Sequence, residues 1–304
     1  MQGRFGGLYC AAITPFKHDE VDVDALIMHL HTLKAEGCHG ALLMGTTGEG
    51  PSLSVEERKR IIDASVSANT GLVLMAGTGT PNLPETIVLT RYAYDHGIDA
   101  ALVVPPYYFR SASVEGLYRF YAALFDKAVP SDRALLAYHI PQVSGVAIPP
   151  QLLERLIDQY GLRMAGVKDS GGDMSYAAGL IDAFPTLDVF VGSEKLLYAG
   201  MQCGAVGCIT AGANVLAPQA VAIWNAWQHG GDPSTLQTEL SAARSILDRY
   251  APAAASLKQL LNMRYGGESW EVRPPLVEHD QTVMRELTGA MKALQPDPLP
   301  WLKR

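Results

Sequence analysis

Short, almost wholly apolar runs alternate with longer amphipathic stretches through the first two-thirds of this chain, and that alternation constrains the fold more than any other feature. The apolar runs are Gly7–Ile13, Gly40–Met44, Leu72–Ala76, Ala100–Val104, Ala134–Tyr138, Leu162–Val167, Asp188–Val191 and Ala205–Ile209. Between them, Asp24–Glu36, Val55–Ala68, Pro84–His96, Val114–Lys127, Pro150–Gln159, Met174–Phe184 and Lys195–Gln202 carry helical periodicity. A parallel strand pair needs a crossover, and a helix supplies it, so this order predicts a parallel sheet. Runs that are apolar at nearly every position belong to strands covered on both faces. About eight such units, spaced roughly 25–35 residues apart, match an α/β fold of the (β/α)8 TIM barrel type better than an open doubly wound sheet.

After Pro218 the strands stop. Gln219–His229, Thr235–Tyr250, Ala254–Tyr265 and Gln281–Leu294 read as helices, with breaks at Gly230-Gly231-Asp232-Pro233 and Gly266-Gly267-Glu268. The expected organisation is a catalytic barrel over residues 1–229 and a C-terminal helical extension over residues 230–304. The extension is expected to pack on the barrel and is available to shape an oligomer contact.

Composition narrows the partners. A net charge of −7 argues against nucleic acid or an anionic membrane surface, although a local field in a cleft can still favour an anionic substrate. No apolar stretch reaches the roughly 18–20 residues needed to span a bilayer. The opening Met1-Gln2-Gly3-Arg4-Phe5 lacks the apolar region of a signal peptide. Cys10, Cys38, Cys203 and Cys208 form no CxxC pair. The expectation is a cytoplasmic protein with reduced cysteines, no metal and no cofactor.

In a barrel of this type the chemistry sits where the strands end. The second strand is followed by Gly45-Thr46-Thr47-Gly48-Glu49-Gly50 and the fourth by Pro105-Pro106-Tyr107-Tyr108. The fifth ends in Tyr138, the sixth in Lys168, the seventh precedes Gly192-Ser193-Glu194-Lys195 and the eighth Thr210-Ala211-Gly212. Lys168 is hard to explain as packing, because burial disfavours its ammonium and makes a neutral amine accessible near pH 7. Such an amine attacks a ketone to form a Schiff base. The competing reading is a lysine whose head snorkels to water. Backbone N–H groups and hydroxyls of the Gly-Thr-Thr turn suit a carboxylate, and Tyr138 suits proton transfer. A 2-oxo acid fits both ends of this set. Each loop also has a plain structural reading: a tight turn at Gly45–Gly50, rim aromatics at Tyr107 and Tyr108, a solvated helix start at Glu194-Lys195. The turn lacks the Gly-Lys-Ser/Thr of a phosphate loop.

Gly45-Thr46-Thr47-Gly48-Glu49, Pro106-Tyr107-Tyr108, Tyr138-His139-Ile140-Pro141, Gly166-Val167-Lys168-Asp169 and Gly207-Cys208-Ile209 occur together and in order over nearly the whole chain. In this it resembles the dihydrodipicolinate synthase/N-acetylneuraminate lyase family of class I pyruvate-dependent aldolases. The resemblance implies that Lys168 is the Schiff-base lysine and Tyr138 the proton donor, with Thr46 and Thr47 joining the proton relay. It places Thr46 and Thr47 at the pyruvate carboxylate, with the Ile209 backbone lining that pocket beside Gly192. Tyr108 matches a tyrosine that serves a neighbouring subunit's site, and a homotetramer built as a dimer of dimers is implied.

The departures bear on the reaction. In Pro141-Gln142-Val143-Ser144-Gly145, Val143 stands where the synthases usually carry the arginine that binds aspartate semialdehyde. A valine makes no bidentate pair with a carboxylate, which argues against dihydrodipicolinate synthesis. The lyase branch's carboxylate pair is also missing, since Glu194-Lys195 occupies its place and Ala211 replaces a hydroxyl. Lys168-Asp169-Ser170-Gly171-Gly172-Asp173 is similar to aldolases for 2-keto-3-deoxy sugar acids or 4-hydroxy-2-oxoglutarate. The expectation is retro-aldol cleavage of a 2-oxo-4-hydroxy acid to pyruvate and an aldehyde, with Ser170, Ser193 and Glu194 at the distal hydroxyls. Other readings are dihydrodipicolinate synthesis, an N-acetylneuraminate lyase (Tyr138–Val146 is similar to that branch), a keto-acid-binding regulatory barrel, and a hydrolase using carboxylates from Glu49, Asp169, Asp173 and Glu194.

Overall fold

A computed structural model describes residues 3–266 and 270–303. Met1, Gln2, Arg304 and most of the second expected break (Gly267 and Glu268) lie outside the described residues. Eight parallel strands close into a barrel: β1 Gly7–Ala11, β2 Gly40–Leu43, β3 Val73–Gly77, β4 Ala100–Val103, β5 Ala134–His139, β6 Met164–Asp169, β7 Asp188–Val191 and β8 Gly207–Thr210. Neighbours follow chain order, and β1 pairs with both β2 and β8, so the sheet has no free edge. The expected strands are all present, with ends displaced by a residue or two. The largest difference is at β6, where Gly161–Arg163 forms a 3-10 turn and the strand continues through Lys168 to Asp169.

The helices differ in three places. The expected helix Lys195–Gln202 is a 3-10 turn, Glu194–Leu196, leading into Leu197–Cys203. The helix expected to begin at Gln219 begins at Ala213, with a kink at Leu216. Pro218 lies just beyond that kink, and its ring has no place in an unbroken turn. This helix packs on β1 and completes the barrel. A small hairpin (Phe16–Lys17 with Glu20–Val21) and a short helix, Pro141–Ser144, were not expected. The helix Val55–Ser67 opens on a capping box in which Ser54 and Glu57 satisfy each other's backbone N–H.

The pleat decides what faces the barrel axis. Leu136 and Tyr138 point inward with Leu42, Met75, Leu102, Phe190 and Ile209, while Leu135 and Ala137 pack outward under the helices. Between β5 and β6 the register shifts: Leu135 faces Met164 but Leu136 faces Gly166. Ala165 is therefore an extra residue, and one extra residue inverts the alternation beyond it. Lys168 thereby becomes the partner of Tyr138 on the inward face.

Extension and barrel share one apolar core. Leu26, Leu30, Leu33 and Ile61 of the barrel helices cluster with Leu257, Leu260, Leu261, Leu287 and Met291 of the extension. Cys10, Cys38 and Cys208 are buried and free, and Cys203 is free and exposed. Burial pushes the Cys38 thiol up to about 12 and those of Cys10 and Cys208 well above their usual range. Among the described residues no helix is long and apolar enough to cross a membrane. Because Leu287 is fully buried in the shared core, Leu287→Ala is expected to cost about 2–5 kcal/mol. Calorimetry should still show one cooperative transition, whereas a separate early melting step would mean that the extension folds as its own unit.

Candidate active site

The turn after β2 carries the first functional groups. Met44 and Glu49, at φ 54 and 52, both hold left-handed backbone without being glycine, each at a cost on the order of 1 kcal/mol. Between them Glu49 N–H donates to Thr46 O (3.2 Å) and Gly50 N–H to Gly45 O (3.0 Å). Thr14 donates its hydroxyl to Gly48 O at 2.7 Å and closes the turn from β1. The Thr46 side chain is left exposed at the mouth and Thr47 half-buried. The Thr46 hydroxyl lies 3.4 Å from the Tyr138 hydroxyl.

Lys168 and Tyr138 meet because their strands pair in register. The ammonium sits over the Tyr138 ring, 4.4 Å from its centroid, and both residues are buried. Burial alone would raise the Tyr138 phenol. The adjacent Lys168 charge, with side-chain contacts from Thr46, Ser170 and Lys168, outweighs burial and holds it below its usual value. A cavity of about 220 Å³ opens beside Tyr138 and Thr46, with Leu102, Tyr107, Ile140 and Val143 on its wall.

Ser170 is half-buried and reaches the Tyr138 hydroxyl. Its own N–H donates to His139 O at 2.8 Å, and Gln142 donates to its carbonyl. Gly192 must be glycine here, since a Cβ would occupy the space of the Ser170 hydroxyl. Ser193 accepts from Lys195 N–H at the start of the 3-10 turn. The Ile209 side chain is fully buried in the barrel interior with Tyr138.

Two expected residues stand elsewhere. Glu194 is neither a solvated helix start nor a group open to a sugar hydroxyl. It is fully buried, and its Oε2 accepts from Thr210 and from Arg244, the latter at 2.6 Å. Gly212 leaves room for its other oxygen, where a Cβ would collide. Tyr108 is 77% exposed with its ring edge-on to Phe109, and within one chain it does not join the constellation.

The carboxylates considered for a paired hydrolytic mechanism are all engaged. Glu49 pairs with Lys258, Glu194 with Arg244, and Asp173 caps the helix Met174–Ala183. Asp169 bonds Gly171 N–H at 2.8 Å, and burial raises its carboxyl to about 6. The neighbouring His139, lowered to about 4 by burial, accepts from Ile148 N–H. With Glu49 and Glu194 each tied to a cation, only Asp169 and Asp173 remain of the set, and Asp173 is near enough to help raise Asp169. Among the described residues no group of three or more His, Cys, Asp or Glu side chains is arranged to hold a metal ion.

Sequence reasoning missed Lys258, Arg244 and Arg273, which belong to the extension yet contact the loops at the barrel mouth. Lys258 Nζ is 2.5 Å from Glu49. Arg273 N–H donates to Glu49 at 3.0 Å, and its guanidinium holds Ser52 O and Glu57. The partners are separated by 209 residues for Lys258 and 50 for Arg244, so no local pattern announces them.

Residues 4–294 match the Dihydrodipicolinate synthetase family. An uncharacterized DapA-like lyase of Chloroflexus aurantiacus is 40% identical over 80% of this chain and 81% of its own length. A 4-hydroxy-tetrahydrodipicolinate synthase of Thermodesulfovibrio yellowstonii is 31% identical over 95% of this chain and 98% of its own. The crystal structure of dihydrodipicolinate synthase from Aquifex aeolicus superposes with a TM-score of 0.88 at 27% identity, covering 97% of this chain and 100% of that one. With its closed barrel and a family match over nearly its full length, the chain belongs to the dihydrodipicolinate synthetase family of carbon–carbon lyases.

Proposed function

We propose that this enzyme is a Schiff-base-forming, pyruvate-dependent aldolase that cleaves a 2-oxo-4-hydroxy acid, of the 2-keto-3-deoxy sugar acid kind, into pyruvate and an aldehyde. The observation that carries the reading is the buried lysine stacked on the phenol of its register partner, with the Thr46 hydroxyl at the other end of that phenol. The adjacent Lys168 charge favours the Tyr138 phenolate, which takes the ammonium's proton; the neutral amine then attacks the substrate ketone, and the phenol so formed holds the proton for the next step. Protonation of the carbinolamine oxygen expels water and leaves an iminium. Tyr138, relayed through Thr46, then removes the proton of the C4 hydroxyl. The C3–C4 bond breaks, its electrons enter the iminium as an enamine, and the aldehyde departs. Protonation at C3 and hydrolysis return pyruvate and free Lys168.

The turn Gly45–Glu49 holds the substrate carboxylate through Thr46, Thr47 and backbone N–H groups, and the Ile209 backbone and Gly192 close that end. Ser170 and Ser193 are assigned to the distal hydroxyls. Tyr108 is assigned to the site of a second subunit in a homotetramer, and a cytoplasmic location fits this chemistry. Dihydrodipicolinate synthesis is the second reading, favoured by the name of the Thermodesulfovibrio relative. Val143 argues against it: the side chain is 59% exposed at the site wall and offers no charge to a second carboxylate.

Borohydride reduction with pyruvate, read by peptide mass spectrometry, should place a pyruvate-derived adduct on Lys168 and none on Lys168→Ala, which should also lack turnover. An unmodified Lys168 in folded protein would sink the reading. Tyr138→Phe should slow cleavage by about 10²–10⁴, the usual worth of one acid–base group, while still trapping pyruvate; an unchanged rate would remove Tyr138 from the mechanism. Val143→Arg, which has room at an exposed position, should confer condensation with aspartate semialdehyde. Absence of any gain would assign the divergence to pocket shape instead.

A further inference from the structure

The turn proposed to hold the substrate carboxylate is strained at both ends, since Met44 and Glu49 are the left-handed residues that bracket Thr46 and Thr47. Thr14 closes that shape from the β1 side, and a second set of groups reaches it from the far end of the chain. The Glu49 carboxylate is 2% exposed and both of its oxygens are engaged. One meets Lys258 Nζ, and the other accepts Arg273 N–H. Lys258 is fully buried. Its remaining contacts are Glu271 O at 2.7 Å and the Phe16 ring, 4.0 Å from the centroid. Arg273 continues the grip past the turn: its guanidinium bonds Ser52 O and Glu57 at 2.9 Å and Asp19 at 3.0 Å, over the same Phe16 ring.

We infer that Lys258 is a positioning residue for catalysis: its ion pair with Glu49 holds the Gly45–Glu49 turn in the conformation that presents Thr46 and Thr47 to the substrate carboxylate. The inference rests on the pyruvate reading above and adds a specific dependence to it. A buried ion pair by itself is weak evidence for fold stability, because desolvation offsets its Coulomb gain. Here the pair lies where strain has to be opposed, three residues from Thr46 and two from Thr47. The dependence should therefore show in carboxylate binding rather than in the lysine chemistry. Lys168 stands on β6 and is aligned by strand pairing, not by this turn.

The test is borohydride trapping of pyruvate on the full-length protein as a function of pyruvate concentration, for wild type, Lys258→Met, Thr47→Ala and the double variant, with melting temperatures recorded alongside. Lys258→Met should raise the half-saturating pyruvate concentration about ten- to hundredfold, the scale of one hydrogen bond to a charged group. The fraction trapped at saturation should be unchanged. In the Thr47→Ala background the same substitution should add little, since the contact it supports is already gone. Should Lys258→Met fail to fold, Glu49→Gln removes the charge at constant volume, and the same shift is expected of it. An unchanged half-saturation in either folded variant, or effects that multiply in the double variant, overturns the inference. Absence of an adduct in the wild type overturns the pyruvate reading, and this inference with it.

Discussion

Closure of the parallel barrel is the constraint on which everything else in this molecule depends. With no free edge, every strand residue is assigned by the pleat to the axis or to the helices. A functional group can enter the interior only at an inward position near the strand's C-terminal end. The bulge at Ala165 adjusts that assignment on β6. It gives the axis Lys168, where an unbroken register would have set Val167 beside Tyr138. A single inserted residue thus separates a buried lysine–tyrosine pair from an ordinary apolar layer.

The fold was largely legible because it is written in short-range periodicity. Apolar runs such as Ala134–Tyr138 and amphipathic stretches such as Val114–Lys127 carry their own register and length, and the structure keeps them nearly unchanged. Lys168, Tyr138, Thr46 and Thr47 were legible for a related reason: their positions near strand ends bring them together once the barrel is granted. What the pattern could not carry was parity. Nothing in Met164-Ala165-Gly166-Val167-Lys168 marks Ala165 as the extra residue that turns Lys168 to the axis.

Glu194 shows the second limit. A glutamate followed by lysine at a helix start reads as solvated, and as a candidate for sugar hydroxyls, until the helix Ser234–Leu247 lays Arg244 across it. Charge pairing over such separations depends on tertiary approach, which composition and spacing do not encode. The same holds for Glu49, whose place in the Gly-Thr-Thr-Gly-Glu motif is visible while its partner Lys258 is not. Tyr108 marks a third limit. One chain leaves it exposed, and the role proposed for it needs a second subunit.

The two glutamates at the barrel mouth have a bearing on how a chain like this can change in length. Each sits in a loop of the barrel, is withdrawn from solvent, and draws its cation from the extension. Trimming the chain back to a bare eightfold barrel would take the cation from each of these carboxylates, besides stripping the shared apolar core. Barrel and tail are thus bound to one evolutionary fate: shortening the tail requires prior neutral replacement of Glu49 and Glu194. A minimal scaffold engineered from this protein would have to begin with those two substitutions.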